Sequence, residues 1–198
     1  MNSDMLNALT LLKQDHSNVE EFFHRFEVAK PDDLDELTRV RDLVVKHLSR
    51  HAVVEEQVFY PAIRARLGDD TAAVVLEGLE EHHLVKLALS ELEKLAATHE
   101  RFRPKFTVLI ENVRHHVEEE ENDMFPLVRD AFTIEELNTM GEQMEQAKDI
   151  APTRPHAFIP DVPPFNILLG LPIAVLDGAI TAGKEAVGRL VSSGSARA

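Results

Sequence analysis

The stretch HAVVEEQVFYP at residues 51–61 occurs a second time, as HVEEEENDMFP, at residues 116–126. Both copies place a glutamate four residues after the leading histidine and end in an aromatic residue followed by proline. A weaker match relates Asp15-His16 to Glu81-His82, each followed three residues later by valine. Since the strong copies lie 65 residues apart and the weak ones 66, the sequence predicts two similar helical hairpins.

Four segments repeat apolar residues every three or four positions, as amphipathic helices do. They are Leu9–Phe26, Leu37–Val58, Val74–Ala96 and Phe106–Leu127. Two such hairpins that pack about a pseudo-twofold axis form an up-down four-helix bundle, so the predicted fold class is all-α. A short fifth helix is expected from Thr133 to Lys148, because Thr133 and Glu136 have the spacing of a capping box.

Proline, glycine and aspartate residues divide these segments. Pro31-Asp32-Asp33 predicts a turn and the N-cap of the second helix, and Gly68 predicts its end. Pro61 is expected to disturb the second helix near that end. Tyr60 follows His51 by nine residues, which is half a turn off on a regular helix, so we expect Tyr60 to pack outside the face that carries the histidine.

Histidines and glutamates occupy positions that should face the core of the bundle. Each of the four helical stripes contains one such histidine, and the second and fourth stripes add a glutamate one turn later on the same face. The candidate metal ligands are His16, His51, Glu55, His82, His116 and Glu120. No catalytic residue is predicted beyond these six.

The donor types indicate which metals the site prefers. Four imidazoles and two carboxylates suit two transition-metal ions such as iron, manganese or zinc, and not calcium, which binds oxygen ligands. The chain has no cysteine, so thiolate sites, iron–sulfur clusters and disulfides are excluded. An ionised glutamate in a bundle core is costly without a partner, and two dications would supply one.

Other polar residues near the predicted ligands are interpreted as supporting groups. His47 lies one turn before His51, but its counterpart in the repeat is Asn112, so we expect a core or supporting position for it. His115 is about 100° round the helix from His116 and lacks the spacing to a repeated glutamate. Glu56, Glu119 and Glu121 are expected in solvent or beside the ligands.

The composite pattern H…HxxxE…H…HxxxE resembles the hemerythrin-like HHE cation-binding domain over about residues 6–130. The resemblance rests on Asp15-His16, His51–Pro61, Glu81-His82 and His116–Pro126. It implies an up-down bundle with two iron ions in a non-haem, oxo- or hydroxo-bridged centre. The ligand that this centre meets would be dioxygen, hydrogen peroxide or nitric oxide.

The sequence departs from the oxygen-carrying hemerythrins in its ligand set. Those proteins have five histidines, two of them one turn apart on the third helix, and an aspartate on the fourth. Here Lys86 stands one turn after His82, and the fourth helix offers Glu120. One histidine fewer favours redox turnover or sensing over reversible oxygen carriage.

Three functions are compatible with this interpretation. The first is an oxidoreductase that removes peroxide as a catalase does, or that reduces nitric oxide or dioxygen. The second is oxygen sensing, iron sensing or iron binding without turnover. The third is a structural zinc or mixed-metal bundle with no redox role. The sequence alone does not decide whether the protein is an enzyme.

Charge and the C-terminal segment indicate location and partners. The net charge of −14 argues against nucleic acid as a partner. The first residues resemble no signal peptide and no apolar run is long enough to span a bilayer, so we expect a cytoplasmic protein. Residues 1–150 are predicted to form the bundle, and 151–198 a proline-rich, partly helical extension. The extension is interpreted as a strap on the bundle, as a contact to a second copy or partner, or as a membrane-surface segment.

Overall fold

The computed structural model describes residues 7–155, without the side chains of residues 69 and 70, and its regular structure there is entirely helical. The α-helices are α1 Ala8–Val28, α2 Leu34–Val54, α3 Tyr60–Leu67, α4 Asp69–Leu92, α5 Phe102–Glu119, α6 Phe125–Ala131 and α7 Ile134–Ile150. A π-helical turn, Glu55–Phe59, joins α2 to α3, and a second, Glu120–Met124, joins α5 to α6. The predicted extension from residue 156 onward lies outside the described residues.

Four long helical segments form the predicted up-down bundle. Helix α1 is the first, α2 with α3 the second, α4 the third, and α5 with α6 the fourth. Helix α1 packs against α2, α2 against α4, and α4 against α5. Phe26 of α1 stacks on Phe106 of α5 with 3.9 Å between ring centroids, which closes the bundle between its first and fourth helices. The predicted all-α fold class and the up-down four-helix bundle are confirmed.

The predicted helix ends are observed where capping chemistry requires them. The Asp33 side chain accepts a hydrogen bond from the backbone N–H of Glu36 at the start of α2. Thr133 and Glu136 form the expected capping box at the start of α7. Gly68 ends α3 with a φ of 59°, a left-handed conformation that glycine adopts without strain.

Helix α7 is the predicted fifth helix and lies along the bundle, with Glu136 near its start at Arg66 of α3 and Lys148 near its end at Arg50 of α2. It packs against α1, α2 and the first π-helical turn. Its buried residues Leu137, Met140 and Met144 join an apolar cluster with Phe59 and Ile63. The fifth helix therefore covers the bundle near the first π-helical turn.

Two apolar clusters divide the core along the bundle axis. One contains Phe23, Phe26, Leu92, Phe102 and Phe106 among others, and the second contains Leu11, Leu12, Ile63, Phe125 and Met144 among others. On α1, His16 lies between Leu12 of one cluster and Val19 of the other. The predicted ligands thus occupy a polar layer with apolar side chains above and below it.

The π-helical turns have a local cause in the repeated prolines. A proline ring clashes with the carbonyl four residues earlier and donates no hydrogen bond. For Pro61 that carbonyl belongs to Gln57, inside the first π-helical turn. The backbone N–H of Tyr60 bonds to the carbonyl of Glu55, five residues earlier, which widens the helix at this point. The turn Glu120–Met124 repeats the arrangement.

Among residues 7–155, no helix combines the length and the hydrophobicity that a bilayer crossing requires.

Candidate metal centre

The structure brings all six predicted ligand side chains into one buried volume. The four histidines come from α1, α2, α4 and α5, and the two glutamates are the first residues of the two π-helical turns. Their donor atoms form two groups that share Glu55: His16, His51, Glu55 and Glu120 in one, and Glu55, His82 and His116 in the other. Within each group, the donor atoms lie within 4.8 Å of one another.

Each glutamate lies between histidines of both hairpins. Glu55 Oε2 is 3.1 Å from His51 Nε2 and 3.2 Å from His82 Nε2. Glu120 Oε2 is 3.4 Å from His16 Nε2 and 3.8 Å from His116 Nε2. All four imidazoles therefore present Nε2 toward the centre, and both carboxylates are placed where they could bridge two ions.

A second layer of carboxylates lies at the outer nitrogens of the four histidines. Three Nδ1 atoms lie at hydrogen-bond distance from a carboxylate: His16 from Glu121 at 2.8 Å, His82 from Glu56 at 3.0 Å and His116 from Glu81 at 2.7 Å. The fourth, His51 Nδ1, lies 3.8 Å from Asp15 and has no hydrogen-bond partner among the described residues. Such partners fix which ring nitrogen carries the proton and leave the other free for a metal. The sequence signals for this layer are the acids that precede His16 and His82 and the glutamates that directly follow Glu55 and Glu120.

These outer histidine–carboxylate contacts occur at equivalent positions in the two copies of the internal repeat. The pair of His16 with Glu121 corresponds to the pair of His82 with Glu56, at offsets of 66 and 65. In both, the glutamate follows a predicted ligand glutamate directly and reaches across to the other hairpin. Of the two positions expected for Glu56 and Glu121, the structure shows the one beside the predicted ligands. Glu56 is almost fully buried.

The expectation that Tyr60 packs outside is wrong. Its side chain is 1% exposed, and its hydroxyl donates a hydrogen bond of 2.8 Å to Glu120 Oε1. The ring stacks on His82 with 5.6 Å between centroids. A π-helical turn inserts one extra residue and so rotates the residues after it by about 100°, which a regular 3.6-residue period does not anticipate.

The repeat also shows what is particular about Tyr60. Its counterpart Phe125 stacks on His16 in the same way, at 6.0 Å, but has no hydroxyl. The helix that faces Tyr60 carries Gly78, where a Cβ would lie 3.0 Å from the tyrosine oxygen. The counterpart of Gly78 is Leu12, which is fully buried. Glycine therefore leaves the room that the hydroxyl occupies.

A family model described as the hemerythrin HHE cation binding domain matches residues 7–128. The chain belongs to this family. An uncharacterized hemerythrin-like protein of Schizosaccharomyces pombe is 31% identical over 164 residues, which cover 83% of this chain and 80% of that protein. A DNA nickase of Nostoc sp. is 24% identical over 143 residues, which cover 72% of this chain and 39% of the nickase.

A solved structure shows the same fold. The crystal structure of a hemerythrin HHE cation binding domain-containing protein from Mycobacterium kansasii matches with a TM-score of 0.62 at 24% sequence identity. The match covers 73% of this chain and 89% of that protein. At this identity the likeness concerns the fold of the hemerythrin-like bundle alone.

The atoms that face the centre of this hemerythrin-like bundle fit a cation. His16 Nε2, both side-chain oxygens of Glu55 and Glu120 Oε2 are buried and have no hydrogen-bond partner among the described residues. Buried polar atoms are almost always hydrogen-bonded, since an unsatisfied one costs free energy. Lone pairs that converge on one small volume are satisfied together by a metal ion.

The pKa values in the metal-free protein also indicate that the centre attracts positive charge. Burial works to lower the pKa of His51, but the carboxylates of Glu55 and Asp15 outweigh it and raise the pKa to about 10. The pKa of His82 is raised in the same way, against burial, to about 9 by Glu55 and Glu56. The pKa of Glu55 is held well below its usual value by His51 and His82, although burial opposes this. Without metal, protons on His51 and His82 therefore offset part of the negative charge of the carboxylates.

A charge count favours bound cations. The inner and outer carboxylates are Glu55, Glu120, Asp15, Glu56, Glu81 and Glu121. Two largely buried ammonium groups lie against this set, Lys86 at 2.7 Å from Glu56 and Lys148 at 2.8 Å from Asp15. The carboxylates thus outnumber the two ammonium groups, and bound cations would offset this excess. Lys13, 3.8 Å from Glu121, is half exposed and contributes less.

The remaining histidines named by the sequence are not in the buried centre. His47 is half-buried and packs edge-on against Phe22, with 4.9 Å between ring centroids, so its position supports the core. The side chain of His115 is 63% exposed and lies 3.3 Å from Glu119. His115, Glu119 and Glu81 form a third, more exposed group of possible donors.

A cavity of about 380 Å³ adjoins the four ligand histidines. Its walls include Val19, Phe23, Leu48, Val85 and Val113, and its rim includes Ser17, Glu20, Arg114 and Glu121. The cavity lies on the side of the centre that faces the larger apolar cluster. A small ligand could therefore reach the inner histidine nitrogens through the space between α1 and α5.

Proposed function

We propose that His16, His51, Glu55, His82, His116 and Glu120 bind two iron ions and that the loaded protein acts on a small ligand. The observation that carries this proposal is the pair of overlapping donor groups that share Glu55. Membership of a cation-binding family, the unsatisfied donor atoms and the excess of carboxylates over ammonium groups support it.

The donor set indicates how the two ions would be held. The first would take His16 and His51, and the second His82 and His116. Glu55 would serve both, because its Oε2 lies at similar distances from one histidine of each hairpin. Imidazole with carboxylate suits iron, manganese or zinc, and iron is the ion that the resemblance implies.

The ligand that we favour is hydrogen peroxide, with nitric oxide and dioxygen as the alternatives. A di-iron pair supplies redox chemistry, and disproportionation of two peroxides to dioxygen and two waters needs no external reductant. The residues of the chain restrict access and orient the centre. Phe23, Leu48 and Val113 line an apolar approach, and Tyr60 holds Glu120 by its hydroxyl. An apolar approach favours small uncharged molecules over ions.

The test combines metal analysis, absorption spectroscopy and peroxide turnover on the purified full-length protein. We expect about two irons per chain, an absorption band between about 320 and 400 nm, and steady dioxygen release from peroxide. Zinc is d¹⁰ and gives no such band, so the spectrum separates iron from a structural zinc bundle. The double variant His51→Ala, Glu120→Ala should lose the iron. A variant that retains its full iron content would refute the ligand assignment.

A second candidate function is sensing of oxygen or iron without turnover. The observation that favours it is the contact between Asp15, which lies beside His51, and Lys148 in the last turn of α7. Arg50 also donates to the backbone carbonyl of Lys148, at 3.0 Å. The helix that leads into residues 151–198 is thus attached to the predicted ligands. Limited proteolysis with and without iron tests this function, and an unchanged cleavage pattern together with peroxide turnover would exclude it.

A further inference from the structure

The cavity beside the four histidines is larger than a diatomic molecule or peroxide requires. It measures about 380 Å³, whereas a water-sized molecule occupies about 30 Å³. Apolar cavities of about 150 Å³ already accept a benzene-sized molecule.

The walls of the cavity are made of the side chains that bind organic molecules. Val19 and Phe23 of α1, Leu48 of α2, Val85 of α4 and Val113 of α5 each contribute one surface. Every bundle helix therefore supplies an apolar residue. All five are buried residues of one apolar cluster, which favours a cavity of fixed shape. Small-molecule sites typically combine such walls with a few polar groups at one end.

The polar groups lie at the two ends of the cavity. The inner end presents the imidazoles of His16, His51, His82 and His116. At the rim, Arg114 binds Glu20 at 2.6 Å and Glu27 at 2.8 Å, so its charge is already balanced by two carboxylates. An anionic group would find this guanidinium engaged. The chemistry therefore suits an uncharged molecule with one polar group directed toward the histidines.

We infer that this cavity is the binding site of a small, uncharged and largely apolar organic molecule of about the size of phenol, held beside the metal centre. The inference rests on the proposed function for its location, because the polar group of the ligand would face the ions. It extends that function by adding an organic ligand to the diatomic and peroxide ligands. The binding itself depends on the cavity walls and not on iron turnover.

The experiment measures binding of 4-fluorophenol to the full-length, iron-loaded protein by equilibrium dialysis with ¹⁹F NMR detection. We expect saturable binding with a Kd of about 1 mM or tighter. Val113→Phe and Val85→Phe fill the cavity from two different helices and should each weaken binding by at least about tenfold. Val108→Phe is the matched control, since Val108 is on α5 but is 53% exposed, and it should leave binding unchanged.

Iron content and helical circular dichroism of each variant separate a filled cavity from a misfolded protein. A cavity-filled variant that keeps its iron but loses 4-fluorophenol supports the inference. Non-saturable binding to the unmodified protein, or equal binding to it and to both folded cavity-filled variants, would overturn it. Failure of the proposed function can be told apart from failure of the cavity assignment. A protein that binds 4-fluorophenol but takes up no iron would refute the proposed function and leave the cavity assignment standing.

Discussion

The contact between Tyr60 and Gly78 allows a test of stability. The effect of Gly78→Ala on the free energy of unfolding should change sign when Tyr60 is replaced by phenylalanine. In the metal-free protein, Tyr60→Phe removes a hydrogen bond to the buried carboxylate of Glu120, and a bond of this kind is worth about 1.5–3 kcal/mol. Gly78→Ala has two opposed effects. Alanine is better than glycine in a helix by about 1 kcal/mol, but its Cβ would lie 3.0 Å from the tyrosine oxygen.

The steric effect should dominate when the hydroxyl is present. To relieve the contact, the hydroxyl must move and its 2.8 Å bond to Glu120 weakens. Loss of most of that bond would leave Gly78→Ala destabilised by about 0.5–2 kcal/mol after the helix gain is subtracted. In the Tyr60→Phe background the nearest atom is the ring carbon Cζ at 3.5 Å, an ordinary contact. There Gly78→Ala should stabilise the protein by about 1 kcal/mol.

Urea unfolding of the four metal-free proteins, followed by circular dichroism, gives the free energies for this double-mutant cycle. Metal is removed because its binding adds a concentration-dependent contribution to stability. If Gly78→Ala has the same effect in both backgrounds, the hydroxyl does not occupy the space that the glycine leaves. In that case, the proposed reason for the glycine and for the position of Tyr60 is refuted.

Three further substitutions test the outer contacts and the fifth helix. Glu56→Gln removes the charge at a histidine Nδ1 and should weaken iron binding by about 10–100-fold in a competition titration, while the exposed Glu118→Gln should not change it. Lys148→Met leaves Asp15 without its ammonium partner and should lower the free energy of unfolding by about 1–3 kcal/mol; unchanged stability would mean that the pair contributes nothing. Thr133→Ala removes the N-cap of α7 and should cost about 1 kcal/mol with unaltered iron content, so a loss of iron would show that α7 supports the centre directly.

The fold and the six inner side chains could be predicted from the sequence because both depend on spacing. A repeat with one histidine on the first helix and H-x-x-x-E on the second determines which faces meet, whatever the details of packing. The helix caps at Asp33 and Thr133 could be predicted for a similar reason, because each cap bonds to a residue three positions later in the sequence. The structure places the six side chains together, and their role as metal ligands is a proposal that the metal analysis above tests.

The position of Tyr60 could not be predicted in this way, because it depends on the π-helical turn. A fixed 3.6-residue period has no place for one extra residue, so the same count that finds Glu55 from His51 misplaces the residues beyond the turn. The repeated aromatic–proline pair was the available signal: Pro61 excludes the regular bond to Gln57. The sequence left open whether Glu56 lies in solvent or beside the ligands, because Glu56 reaches a histidine on the other hairpin and no local spacing describes that contact.

A single hydroxyl distinguishes the surroundings of the two inner glutamates. The repeat makes Glu55 and Glu120 equivalent, yet Glu55 belongs to both donor groups and Glu120 to one. Tyr60 donates to Glu120 Oε1 and leaves only Oε2 for the centre, whereas the counterpart Phe125 can donate nothing to Glu55. In the proposed centre, Glu55 would therefore have both oxygens available to metal ions and Glu120 only Oε2. The surroundings of the two metal positions would then differ, although each hairpin supplies the same types of residue.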